Sequence, residues 1–191
     1  MKSIFIACLI CVMASACSNN TENTNNQTAS SDTTSFYPIA SYFNSQLTHF
    51  DSIGAKYSIV TTEGTKKDSI VVTSKEILVF AQSFIESDIS DSIQKVNYKE
   101  SVFRDAGTAS FNINYTPVND LVPVRNIDIL MDEQTSLIKR IFIRKQRHNN
   151  DTTSTEQLSW KTNEGFTTSI SKETNTGFLL NKTMTVRVIQ P

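Results

Sequence analysis

Apolar residues in this chain recur with two different periods, and the change of period divides it. In PIASYFNSQLTHFDSI, residues 38–53, Ile39, Phe43, Leu47 and Phe50 recur every three or four positions, which predicts a helix with one buried stripe. Pro38 suits its first turn, and Gly54 stands where a left-handed residue would end it. A second helix is predicted in TSKEILVFAQSFIES, residues 73–87. There Thr73 and Glu76 have the spacing of a capping box, and Ile77, Phe80, Ala81 and Phe84 form the stripe. Between them, KYSIVTTEGTKKDSIVV reads as two short strands around a Glu63-Gly64 turn.

From residue 96 onward the period becomes two. SFNINYTP alternates Phe111, Ile113 and Tyr115 with Asn112 and Asn114, a strand with one wet face. NIDILMDEQTSLIKRIFIRKQ has two β-branched runs around a polar loop, 132–136, and so predicts a hairpin. HNNDTTST reads as a second loop, leading to EQLSWKT with Leu158 and Trp160 on one face. Asn163-Glu164-Gly165 reads as a third turn before Phe166, Thr168 and Ile170. The last strand is KTMTVRVIQ, with Met184, Val186 and Val188 together. Helices first and strands afterwards lead to an expected α+β fold. In it, one or two N-terminal helices pack on a twisted antiparallel sheet of about five to seven strands, with a partly closed β-barrel as the alternative.

The N-terminus follows neither period. MKSIFIACLICVMASAC has one basic residue, Lys2, then a short apolar run from Ile4 to Met13, well under the ~20 residues that span a bilayer as a helix. It closes on Ala14-Ser15-Ala16-Cys17. This resembles the lipobox of bacterial lipoproteins, with Ala14 where Leu is commoner. The resemblance implies removal of residues 1–16, a diacylglycerol on the Cys17 thiol and acylation of the new amine. The other two cysteines, Cys8 and Cys11, fall in the expected signal, so the mature domain has no disulfide or thiolate chemistry to draw on. Residues 18–35 are almost all Asn, Thr and Ser, a composition that cannot offset the entropy of ordering. It is expected to act as a flexible tether of roughly 20–25 Å. Residues 17–35 are thus read as lipidated cysteine plus tether, and 36–191 as a single domain. Ser18, which is not Asp, implies by the same resemblance an outer-membrane destination. With no acidic cluster after Cys17, a periplasm-facing orientation is preferred to surface display.

Charge and chemistry narrow the picture further. The chain has 18 basic and 19 acidic residues, which argues against nucleic acid. His49 and His148 show no metal-ligand spacing, so no metal or other cofactor is expected. No G-x-S-x-G elbow is present, and Glu86, Asp88 and Asp91 cluster where solvated connection residues are expected. KRIFIRKQRH carries a basic group, Arg140, Arg144, Lys145 and Arg147, able to contact an anionic ligand: a lipid headgroup, a lipid-A phosphate or an acidic protein face. Its plain alternative is a charged face that guards a long strand from pairing.

Five of the ten aspartates open an Asp-(Ser/Thr)-(Thr/aliphatic) triplet: Asp32-Thr33-Thr34, Asp51-Ser52-Ile53, Asp68-Ser69-Ile70, Asp91-Ser92-Ile93 and Asp151-Thr152-Thr153. The triplets resemble the acceptor site of a general bacterial O-glycosylation system, which implies Thr33, Ser52, Ser69, Ser92 and Thr152 as acceptors, all in tethers, turns or element ends. Turn-forming Asp-Ser and Asp-Thr explain them equally. The resulting expectation is a non-enzymatic, lipid-anchored envelope protein that binds an envelope protein or glycan through an exposed sheet face, with its oligomeric state open. One alternative is a carrier for an apolar ligand lined by Phe43, Phe80, Phe84, Phe111 and Trp160. The other is a glycan or peptide hydrolase.

Overall fold

The computed structural model describes residues 35–189; residues 1–16, expected to be a signal, Cys17 and Thr33 lie outside the described residues. The elements run α1 (Ile39–Ser52), β1 (Lys56–Glu63), β2 (Lys66–Thr73), α2 (Ile77–Ile85), α3 (Ser92–Lys95), β3 (Tyr98–Asp105), β4 (Ser110–Pro117), β5 (Val124–Asp132), β6 (Ile138–Asn149), β7 (Thr152–Lys161), β8 (Gly165–Thr174) and β9 (Gly177–Ile189). All nine strands form one antiparallel sheet in the order β2-β1-β9-β8-β7-β6-β5-β4-β3. Strands β3 to β9 are a simple meander. The early β1–β2 hairpin joins its far edge, where β1 pairs with β9 from Lys56↔Ile189 to Glu63↔Lys182.

This overturns the α+β expectation of a five-to-seven-stranded sheet. The described residues are mostly β, with nine strands and three short helices, and no pairing among them joins β2 to β3 to close a barrel. The missing strand is β3, whose positions 99–104 are all exposed and so carry no alternation. Strand β7 begins at Thr152, four residues before the predicted start. HNNDTTST is therefore mostly strand, around a two-residue turn at Asn150 and Asp151. Its Thr and Ser side chains suit a pleated, half-wet position as well as they suit a loop. Both true edges, β2 and β3, are rich in charge, as with Lys66, Lys67, Lys99 and Arg104. Such charge discourages pairing with another chain.

Helix α1 buries Ile39, Phe43, Leu47 and Phe50. Pro38 is its N-cap, one position before the expected first turn. It ends in a Schellman motif: the Ala55 amide donates to Phe50 O and the Gly54 amide to Asp51 O, each at 3.0 Å, with Gly54 at φ +68°. At α2 half of the capping box forms. Glu76 Oε2 accepts from the Thr73 amide at 2.8 Å, but Thr73 Oγ1 donates to the same carboxylate instead of capping a helix amide. Ile77, Ala81 and Phe84 are buried, and Phe80 is partly buried against them.

Both helices lie on one face of the sheet, where their aromatic rings interlock with those of β7 and β8. Phe43 is 4.8 Å from Trp160 and 4.8 Å from Phe84, Phe84 is 5.2 Å from Phe166, and Trp160 stacks on Phe166 at 5.8 Å. Ile127, Ile129, Ile141, Ile143 and Leu158 extend this core across β5, β6 and β7. Truncating such a buried aromatic costs about 3–5 kcal/mol.

Two glycines separate backbone conformation from close approach. Gly165 has φ +131°, and a Cβ there would stand 2.1 Å from Val186 O of β9; Gly64 has φ +58° and open space around it. Gly165→Ala is expected to lower urea stability by about 2–4 kcal/mol and Gly64→Ala by about 1 kcal/mol; equal losses would contradict the packing at β8–β9.

Buried tyrosines set the alkaline limit. Burial, with the Asp51 carboxylate adding to it, pushes the Tyr57 phenol up to about 12, and burial pushes Tyr98 up to about 12. Above the ordinary value of 10 the unfolded chain releases protons that the folded chain still holds, so stability falls as pH rises from 10 to 12. Tyr57 Oη has no hydrogen-bond partner among the described residues. Tyr57→Phe is therefore expected to leave stability at pH 7 unchanged or up to about 1 kcal/mol higher and to reduce the alkaline loss, as followed by chemical denaturation at each pH.

Candidate functional site: the uncovered face of the sheet

Side chains on a strand alternate between faces, so the nine strands present a second surface opposite the helices. Its central positions are Asn112 and Asn114 of β4, Asn126, Asp128 and Leu130 of β5, Arg140, Phe142 and Arg144 of β6, and Gln157 and Ser159 of β7. The register keeps them adjacent: Asn114 stands opposite Asp128, Asp128 opposite Phe142, Leu130 opposite Arg140, and Phe142 opposite Ser159. Thr167, Ser169, Thr183, Thr185 and Arg187 continue it over β8 and β9. None of these residues is fully buried.

Hydrogen bonds organise this surface from side chain to side chain. The Asn114 amide donates to Asn126 Oδ1 at 2.9 Å and to Asp128 Oδ1 at 2.7 Å, and the Asn126 amide donates to Asp128 Oδ2. Arg140 Nε donates to Ser159 Oγ at 3.1 Å, which fixes the guanidinium against the sheet. Asn112, Asp128, Leu130, Arg140 and Phe142 line a hollow of about 330 Å³. Asn112 Oδ1 is shielded there and accepts no hydrogen bond from the described residues. A shielded acceptor without a donor costs free energy, which a ligand's N–H or O–H would recover. The hollow thus offers a planar cation, an amide acceptor and a phenyl ring within one shallow site.

Lys145 and Arg147 alternate with Arg144 and fall on the helix side, so the structure divides the predicted basic group. Arg140 and Arg144 share the uncovered face with Arg187, a residue the sequence reading missed because only the β8–β9 pairing brings it there. Lys145 is 5% exposed. Its Nζ lies 3.2 Å from Glu156 Oε2 and 2.9 Å from Ser83 Oγ, and Ser83 donates to Glu156 Oε1 at 2.7 Å. This part-buried triangle pins α2 to β6 and β7 and leaves Lys145 no part in contacting a surface ligand. Strand β6 is interior to the sheet, between β5 and β7, so its arginines do not guard an edge.

The other residues singled out from sequence have local roles. Asp91 caps α3 by accepting from the Ile93 and Gln94 amides at 2.8 and 2.9 Å. Asp88 accepts from the Ala40 amide at 2.7 Å, and Glu86 from Gln82 at 3.2 Å. His49 is exposed in the last turn of α1, and His148 Nδ1 sits 3.0 Å from Thr153 Oγ1 across the β6–β7 pair. No group of three or more ligating side chains able to hold a metal occurs among the described residues, and no described helix is long and apolar enough to cross a membrane.

Of the triplet acceptors, Ser52 ends α1, donating to His49 O at 2.7 Å, Ser92 opens α3 and Thr152 opens β7. Ser69 is the exception to their expected placement. It lies inside β2, opposite Val60, though exposed on an edge strand. Phe43, Phe84 and Trp160, expected to line a carrier's cavity, are in mutual contact, while Phe111 is 37% exposed near the start of β4.

Comparison with protein-family models, with curated proteins and with solved structures finds no match to this chain.

The Ser83–Lys145–Glu156 triangle makes a separate prediction. Glu156→Gln leaves the Lys145 ammonium buried without a counter-charge and is expected to cost about 3–5 kcal/mol, whereas Lys145→Met with Glu156→Leu is expected to be neutral or stabilising. Denaturation midpoints of the two variants test it, and the reverse order would mean that Lys145 is solvated.

Proposed function

We propose that this chain is a lipid-anchored cell-envelope binding or assembly protein that engages an envelope protein or glycan through the uncovered face of its sheet. The observation that carries the reading is the contrast between the two faces. One is filled by interlocking aromatics; the other is a broad, organised polar surface on which Arg140, Arg144 and Arg187 outnumber the one central carboxylate, Asp128. Asp128 is already engaged by Asn114 and Asn126. Charge of that sign favours an anionic partner, an acidic protein face or a phosphorylated or carboxylated glycan, and arginine suits planar, bidentate anions. The lipobox-like Ala14-Ser15-Ala16-Cys17 supports the membrane address and its outer-membrane destination. Contact among Phe43, Phe84, Trp160 and Phe166 weighs against a carrier with its ligand between helices and sheet. Ser83, Lys145 and Glu156 read better as a packing device than as hydrolase chemistry, because the lysine is already charge-paired. The exposed positions of Ser52, Ser69 and Ser92 are compatible with O-glycans.

The test is affinity capture of the full chain from detergent-extracted membranes, with intact mass measured on the same sample. Wild type is expected to retain a stoichiometric partner that Arg140→Glu with Arg144→Glu loses at unchanged melting temperature, and Cys17→Ala is expected to leave the membrane fraction. A partner held equally well by the double variant would refute the uncovered face as the contact. A Cys17→Ala protein that still sediments with membranes would refute the lipid. A mass equal to the acylated chain alone would remove the glycans.

A further inference from the structure

The uncovered face holds more than the one hollow beside Arg140. Across it Asn112, Leu130, Arg140, Lys161, Gly165 and Arg187 stand opposite one another in turn, one from each strand from β4 to β9. The row follows the direction of the ladder hydrogen bonds, perpendicular to the strands. At ~4.8 Å between neighbouring strands, Arg140 and Arg187 are roughly 14 Å apart along it. Both are exposed, and neither has a carboxylate at ion-pair distance among the described residues. Lys161, between them, pairs with Glu164 at 2.8 Å, but both side chains are more than half exposed, so the pair is weak and open to competition.

The row is recessed where it is cationic. Gly165 has no side chain, and none fits, because a Cβ would stand 2.1 Å from Val186 O. Over it, between Lys161 and Arg187, lies a trough of about 210 Å³ with Ser159, Thr167 and Thr185 in its walls. Arg187 also borders a hollow of about 230 Å³, where Lys67 of β2 adds a cation and Ser58 of β1 a hydroxyl. With the hollow of about 330 Å³ beside Arg140, three shallow recesses follow one another across the sheet, and each holds a cation.

The occupant follows from charge, spacing and polarity. Arg140, Lys161 and Arg187, strung over three strand spacings, cannot all meet one small anion; they match a chain with repeated acidic groups. Protein partners concentrate their binding energy in dry, apolar cores. Here the walls are mainly hydroxyls, amides and cations, with Leu130, Phe142 and Val60 half-buried among them. Sugar hydroxyls supply a donor for the shielded Asn112 Oδ1, and the C–H face of a sugar ring can cover Phe142. Resting on the reading of this face as the contact surface, we propose that its ligand is a linear acidic polysaccharide laid across the strands from β4 to β9, with its carboxylates or phosphates on Arg140, Lys161 and Arg187.

Titration calorimetry of the full chain in detergent tests this. The acidic probes are oligogalacturonates of two and six sugars, for carboxylate, and mannose-phosphate oligomers of the same lengths, for phosphate. A neutral hexasaccharide and polyglutamate are the comparisons. One acidic hexamer is expected to bind at least tenfold tighter than its dimer, because only the longer chain reaches from Arg140 to Arg187, and tighter than either comparison at the same salt. The series that does so names the acid. Arg140→Ala and Arg187→Ala are each expected to weaken the hexamer about tenfold at unchanged melting temperature, and Arg147→Ala, on the helix side, to leave it as it is. Polyglutamate bound as tightly as the hexamer overturns the sugar in favour of an acidic protein. A dimer bound as tightly as the hexamer, or a hexamer held equally by Arg187→Ala, overturns the track across the strands. No acidic glycan bound, by a chain whose captured protein partner is lost in Arg140→Glu with Arg144→Glu, overturns this inference and spares the uncovered face as the contact. No acidic glycan bound, and a captured partner that the double variant keeps, removes both.

Discussion

Everything in this domain depends on the contact between Trp160 and the rings around it. A nine-stranded sheet with both faces in water would leave Ile127, Ile129, Ile141, Ile143 and Leu158 bare, and the entropy of ordering so long a chain would go uncompensated. Phe43 from α1 and Phe84 from α2 meet Trp160 and Phe166 at ring separations of 4.8 to 6.2 Å. That interlock seals one face and leaves the other to be polar. Tyr42 extends the seal to the sheet's end through Thr162, at 2.9 Å.

The seal has consequences for the sheet's ends as well as its faces. Because the β1–β2 hairpin follows α1 directly, the docking of α1 delivers β1 to the edge of β9, so the first and last strands of the domain become neighbours. That pairing stops at Lys182, and the stop leaves residues 177–181 of β9 with no neighbour on that side. The short β1 and the apolar tip of the β8–β9 hairpin are therefore two sides of one geometric fact. Polar order on the uncovered face has a different origin. Asn114, Asn126 and Asp128 satisfy one another across β4 and β5, beside the hollow that Asn112 and Arg140 line.

Sequence and structure agree where a period is strong and disagree where burial is uniform. Ile39, Phe43, Leu47 and Phe50 form the buried stripe of α1 because four large apolar residues at helical spacing have one way to leave water. Strand β3 was illegible because an edge strand in solvent gives its residues no reason to alternate, and the start of β7 because Thr and Ser suit a half-wet strand as readily as a loop. The half-formed capping box at Thr73 shows a motif whose spacing was right and whose geometry was not, since Thr73 Oγ1 binds the carboxylate instead of an amide. For the candidate site, Arg140 and Arg144 could be placed on one face from their parity alone. Lys145 was grouped with them because nothing in the linear sequence shows that Glu156 and Ser83 wait on the other side.

By itself, then, the sequence determined the helical stripes, the hairpin between β5 and β6 and the parity of the arginines. These are set by neighbours within a few residues along the chain. Only the tertiary structure decided that nine strands make one open sheet, that Arg187 joins Arg140 and Arg144, that Lys145 is buried, and that Phe178 and Leu179 overhang the edge. Each of those depends on which strands lie side by side, and that is decided by the packing of residues more than a hundred positions apart around Trp160.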